Sequence, residues 1–207
     1  MKILRFVLIF LLGVVLTAVM TAFEIPFWIT YLSIIVLYAL LLVAPTMYIV
    51  YRSNNLKRIE RYLVTNKRKP LFAYALAIKS GNRESIIEAI QVILNKYKQP
   101  FIQQVYKTNL ALFENNVSSV DLLAKQISKE PLRTYYMAYA EALKGNFEEA
   151  RSLKENLKVA WMLHAIEAII AKEKGDMEAF SKEADASIEC ARGIQKFSLV
   201  YSFKNMK

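Results

Sequence analysis

"LKGNFEEARSL", Leu143 to Leu153, reads as helix, turn, helix. An apolar-periodic run stops at Gly145-Asn146, and the next run opens with the acidic pair Glu148-Glu149. Glycine and asparagine end helices because they accept a left-handed backbone, and carboxylates favour the positive end of the following helix dipole. The same punctuation recurs in "IKSGNRESII" (Ile78 to Ile87), "FENNVSSVDL" (Phe113 to Leu122) and "KEKGDMEAFS" (Lys172 to Ser181). Glu84 and Glu178 stand after their turns as Glu148 does, so these carboxylates read as helix-start residues and not as acid–base pairs.

Between the turns the apolar residues follow a helical period. Leu71, Ala75 and Ile78 lie before the first turn, and Ile86, Ile90, Ile93 and Leu94 after it. Met162, Ala165 and Ile169 precede the fourth. Prolines recur at Pro70, Pro100 and Pro131, where new helices are due. No useful stretch alternates as a strand would. The reading is all-α, with residues 70–207 forming about four helix–turn–helix units of roughly thirty residues, each burying its stripe against the next. The stretch from Gly193, with Ile194, Phe197 and Tyr201 on one stripe, is the expected C-terminal cap. Leu56, Ile59 and Leu63 form either the opposite cap or a basic amphipathic helix lying on a membrane surface.

"TYYMAYAEALKGNFEEA" (Thr134 to Ala150) resembles the tetratricopeptide repeat. The matching residues are a small residue in the first helix (Ala138), the turn glycine (Gly145), an aromatic two positions on (Phe147) and an alanine opening the second helix (Ala150). "GDMEA" (Gly175 to Ala179) is similar, with its alanine one place early. Glu141 and Lys154 depart from the pattern, standing where the family carries an aromatic and a large apolar residue. The resemblance spans residues 70–192 and implies an array whose first helices line a groove for a protein or peptide partner. The positions it marks are Tyr135 and Tyr139, with Asn109 and Val105 as equivalents in the second unit and Ile169 and Lys172 in the fourth.

The N-terminal quarter is different. Phe6 to Phe23 and Phe27 to Tyr51 hold no charged residue, and only Glu24, Ile25 and Pro26 separate them. Each run matches the ~18 apolar residues of a membrane span. Residues 1–51 therefore read as two transmembrane helices, about 4–23 and 27–51, joined by a tight turn. A cleaved signal peptide is the competing reading of the first run. The run is long for one, and the nearest small-residue site, ending at Ala22, has bulky Met20 two places earlier.

The net charge of +10 is concentrated. Residues 52–69 carry +6, from seven basic residues against Glu60, while residues 70–130 carry +2 and 131–207 carry +1. A nucleic-acid module would carry its excess on the folded domain. The basic segment 52–69 reads instead as a juxtamembrane signal, with Arg52, Lys57, Arg58 and Arg61 contacting lipid headgroups. Lys2 and Arg5 before the first run predict the same side, so both termini are expected in the cytoplasm, as in a bacterial cell-membrane protein.

No catalytic set is expected. His164 is the only histidine and lies in an apolar helix, and Cys190 is the only cysteine. No metal site, cofactor or Gly-rich phosphate loop is read from the chain. Within the apolar runs the polar residues are Thr17, Thr21, Thr30, Ser33 and Thr46, no basis for an ion path. The expected function is a membrane-anchored protein–protein interaction module, an adaptor or accessory subunit. The alternative is a structural or regulatory subunit assembled into a larger membrane complex through the two spans, where Gly13, Ala18 and Ala22 are small enough for close helix contact.

Overall fold

The computed structural model describes Lys2–Lys207, and side chains from Val7 onward; the Lys2 and Arg5 side chains invoked above lie outside the described residues. All the regular secondary structure among those residues is helical, with no strand. The chain divides into two compact units, Met1–Arg52 and Ser53–Lys207.

In the first unit, α1 (Lys2–Ala22) is followed by α2 (Phe27–Tyr38), a π-helical stretch (Ala39–Val43) and α3 (Ala44–Tyr51). The last three run on as one helix, Phe27–Tyr51. Pro45, at the start of α3, has no N–H to donate to the preceding turn and its ring crowds that turn. The wider π turn falls immediately before it. This helix is long and apolar enough to cross a membrane, with mean hydropathy 2.3, whereas the described apolar part of α1, Val7–Ala22, is shorter than a span. Glu24 takes a left-handed backbone at the turn (φ 53°). Gly13 lets α2 approach α1 closely: a Cβ there would sit 2.6 Å from the Tyr38 hydroxyl. Ala18 and Ala22, the other small residues singled out for contact, are exposed.

The second unit begins with α4 (Leu56–Thr65). Four helix pairs follow: α5 (Pro70–Ser80) with α6 (Arg83–Lys96), α7 (Pro100–Phe113) with α8 (Val117–Gln126), α9 (Leu132–Leu143) with α10 (Phe147–Glu155), and α11 (Ala160–Glu173) with α12 (Met177–Cys190). The final helix is α13 (Gly193–Met206). The recurring turn has one mechanism. A left-handed residue ends the first helix (Gly81, Asn115, Gly145 or Gly175). The next residue caps the second, with Asn82, Asn116 and Asp176 side chains accepting from the N–H of Ser85, Ser119 and Ala179. Asn146 is the exception; its side-chain amide donates to Glu141 Oε2 at 2.7 Å. Pro70 and Pro100 open α5 and α7 at positions where a missing N–H costs nothing.

Alanine makes the pairs close. Ala138, Ala142 and Ala150 are fully buried, as is Ala168, and they pack in one core with Ile166, Ile170 and Phe180. Both departures from the tetratricopeptide pattern are met by charge. Glu141 is held by Lys144 at 2.8 Å, and Lys154 of α10 reaches Glu167 of α11 at 2.5 Å.

The two expected caps are not at opposite ends. The last helix, α13, packs on α12 and also on α4 and α5. The Gly193 N–H donates to the Ser53 carbonyl at 2.8 Å, and the Asn205 amide donates to the Ile78 carbonyl at 2.7 Å. Ile59, Leu63 and Phe197 are fully buried, so α4 is a cap of this core and not a free amphipathic helix. The basic stretch 52–69 is therefore largely part of the second unit.

Candidate interaction surface

The marked positions sit on the first helices of the second, third and fourth pairs, but they are not equivalent. Tyr135 is buried, 9% exposed, its ring packed against Tyr136, Tyr139 and Trp161. The groove-lining role expected of it thus meets a ring that is core. Positions 135, 136 and 139 fall within one face of α9, about 100° wide, and on that face the Trp161 ring of α11 packs edge-on against Tyr135. Asn109 is half-buried and accepts from the Tyr136 hydroxyl at 3.0 Å, tying α7 to α9. Ile169 is buried and Val105 half-buried against the core. Tyr139 and Lys172 are likewise half-buried, Tyr139 packed against the same core, on helices α9 and α11 that pack together.

The tyrosine cluster is larger than the sequence suggested. Tyr74 of α5 and Tyr106 of α7 meet edge to face at 5.4 Å. Burial pushes the phenols of Tyr74, Tyr106, Tyr135 and Tyr139 above their ordinary range, with neighbouring phenols adding to it for each and Glu173 for Tyr139. Tyr136 is pushed up to about 12 by burial, against the pull of its bond to Asn109. The signal that could have found Tyr74 is its place one turn after Pro70, as Tyr135 stands one turn after Pro131; for Tyr106 and Trp161 no comparable signal exists.

The four expected headgroup-contacting residues, Arg52, Lys57, Arg58 and Arg61, are all exposed. The cap Asn55 accepts from the Arg58 N–H at 3.0 Å, starting α4 there. The only acid of the segment, Glu60, pairs with Lys79 of α5. His164 Nδ1 lies 2.8 Å from Glu183 Oε2, linking α11 to α12. Cys190 is exposed at the end of α12. Among the described residues no three His, Cys, Asp or Glu side chains converge as metal ligands would.

Compared with protein-family models, with curated proteins and with solved structures, the chain finds no match in any of the three.

Proposed function

We propose that the chain is a membrane-anchored protein–protein interaction module, an adaptor or accessory subunit. In this reading α1 and the Phe27–Tyr51 helix form a transmembrane hairpin with the N-terminus and the second unit in the cytoplasm. The helix pairs act as a tetratricopeptide-like array that holds a protein or peptide partner. The observation that carries the reading is the Phe27–Tyr51 helix, 25 residues long, with Trp28, Tyr31 and Leu40 each at least 60% exposed. At ~1.5 Å per residue such a helix covers the ~30 Å hydrocarbon core. Lipid removes the cost of exposing it. The hydroxyls of Thr17 and Thr21 donate to carbonyls one turn back, at 2.8 and 2.9 Å, as a water-free setting demands. Lys and Arg cluster directly after Tyr51, which supports the cytoplasmic side. Tyr139 and Lys172 supply the partner face, the tyrosine bringing apolar area and a hydroxyl at low entropy cost.

The test is affinity capture of tagged full-length protein from mildly solubilised membranes, beside a Tyr139→Ala/Lys172→Ala variant of unchanged level and helicity. A partner held by the first and lost by the second supports the array as the binding element. A parent chain that holds no partner overturns the proposal, and a partner retained by both forms removes Tyr139 and Lys172 from the contact.

A second reading, assembly into a larger complex through the hairpin, is favoured by one observation. Ile9, Phe10, Tyr38 and Leu42 line an open apolar groove in the first unit. Replacing the hairpin by an unrelated one separates the two: an adaptor keeps its partner, a hairpin-assembled subunit loses it.

A further inference from the structure

The geometry points to the outer face of α4 and the turn after it as a docking surface for an anionic lipid bilayer, held by charge alone and without insertion. This deepens the membrane reading above and rests on it. Lys57 and Arg61 stand one turn apart on the exposed side of α4, Val64 continues the stripe, and Lys67 and Arg68 follow in the turn. Among the described residues no carboxylate pairs with Lys57, Arg61, Lys67 or Arg68. The one acid of residues 52–69, Glu60, is engaged by Lys79, whose ammonium also lies 5.5 Å from the Tyr201 ring centre. Lys79 of α5 thus draws the carboxylate toward the domain and leaves an outer face of one sign.

The opposite side of α4 decides the mode of contact. A basic amphipathic helix ordinarily binds membranes by sinking its apolar face below the headgroups. Here that face is already used: Ile59 and Leu63 are fully buried under α5 and α13. What remains available is the attraction of several fixed cations for lipid phosphates, which is multivalent and screened by salt over about 10 Å at 0.1 M. Only residues 52–55 separate the apolar helix from α4, so the surface is tethered beside the bilayer and weak contacts suffice. The remainder of the second unit is close to neutral, which favours a lipid surface over a nucleic acid as the occupant.

The experiment uses the full chain, with Cys190→Ser and a nitroxide on Val64→Cys, reconstituted in vesicles of phosphatidylcholine alone or with phosphatidylglycerol. A second label, on exposed Leu122→Cys of α8, is the control. The readout is accessibility to a water-soluble relaxation agent. The expected result is a several-fold loss of accessibility at position 64 in the anionic vesicles only. High salt reverses it, as does the quadruple variant Lys57→Gln/Arg61→Gln/Lys67→Gln/Arg68→Gln, and position 122 is unchanged. Equal accessibility at position 64 in both vesicles overturns the inference while leaving the anchor intact. Protection by added RNA in neutral vesicles, with none from phosphatidylglycerol, also overturns it. If the chain is extracted by alkaline carbonate from both vesicles, the membrane reading itself falls, and the inference with it.

Discussion

Tyr135 and Tyr139 are a single helical turn apart on α9 and pack against the same core, but to different depths. Tyr135 sits among Tyr136, Tyr139 and Trp161, while Tyr139 keeps part of its surface open. Truncating a buried aromatic leaves a cavity its neighbours cannot close. Tyr135→Ala is expected to cost about 3–5 kcal/mol in urea unfolding, and Tyr139→Ala clearly less. Equal losses would place both rings in the core and remove Tyr139 from the partner face. The phenols also set a pH limit. Their folded-state pKa values are raised above the ordinary 10.0, so the folded form holds its protons where the unfolded form loses them. The associated stability is fully present below about pH 10 and is lost as pH rises through the folded values. Tyr74→Phe/Tyr106→Phe should flatten the alkaline fall of the melting temperature; an unchanged slope would show that these phenols do not control it.

Between elements, charge substitutes for apolar contact at two joints. Lys144 lies 3.0 Å from Asp121 Oδ2 and 2.8 Å from Glu141 Oε1, joining the end of α9 to α8. Burial raises both carboxyls, but hydrogen bonds from Lys144, helped by Lys125 at Asp121 and Asn146 at Glu141, outweigh it and hold both below the usual range. For Glu167, burial is likewise outweighed by Lys154 and Arg151. Folded pKa values below the unfolded ones contribute stability above about pH 4, and this is lost as pH falls through them. Lys144→Met should cost about 1–2 kcal/mol at neutral pH, a range set by partial water screening, and should make the acid fall shallower. Thermal unfolding between neutral and acid pH checks both parts, and an acid slope identical to that of the parent chain would refute the linkage.

At the scale of the second unit, α13 joins the two ends. Gly81 has a left-handed backbone (φ 69°), and a Cβ there would lie 3.0 Å from Asn205 Oδ1 on α13. Gly145 has a similar backbone (φ 82°) and open space around it. Gly145→Ala therefore reports strain alone, about 1–2 kcal/mol. Gly81→Ala reports the same strain and the disturbed docking of α13, so its denaturation midpoint should fall further. Equal shifts would mean that α13 yields without cost. Residues 53–207 form one compact unit with Ile59 and Leu63 of α4 in its core.

Much of this was legible along the chain because its causes are local. A left-handed glycine or asparagine followed by Asn or Asp stops one helix and starts the next through contacts within a few residues, so the four turns could be read from Gly81-Asn82, Asn115-Asn116, Gly145-Asn146 and Gly175-Asp176. The uncharged run Phe27–Tyr51 is equally a property of consecutive residues. The tertiary structure alone decided which face of α9 is core, that Glu60 turns to Lys79, and that the caps α4 and α13 meet. The Asn205–Ile78 bond joins residues 127 positions apart. Periodicity reports that a helix has an apolar stripe but not which distant helix covers it, because that choice depends on the packing of the whole core.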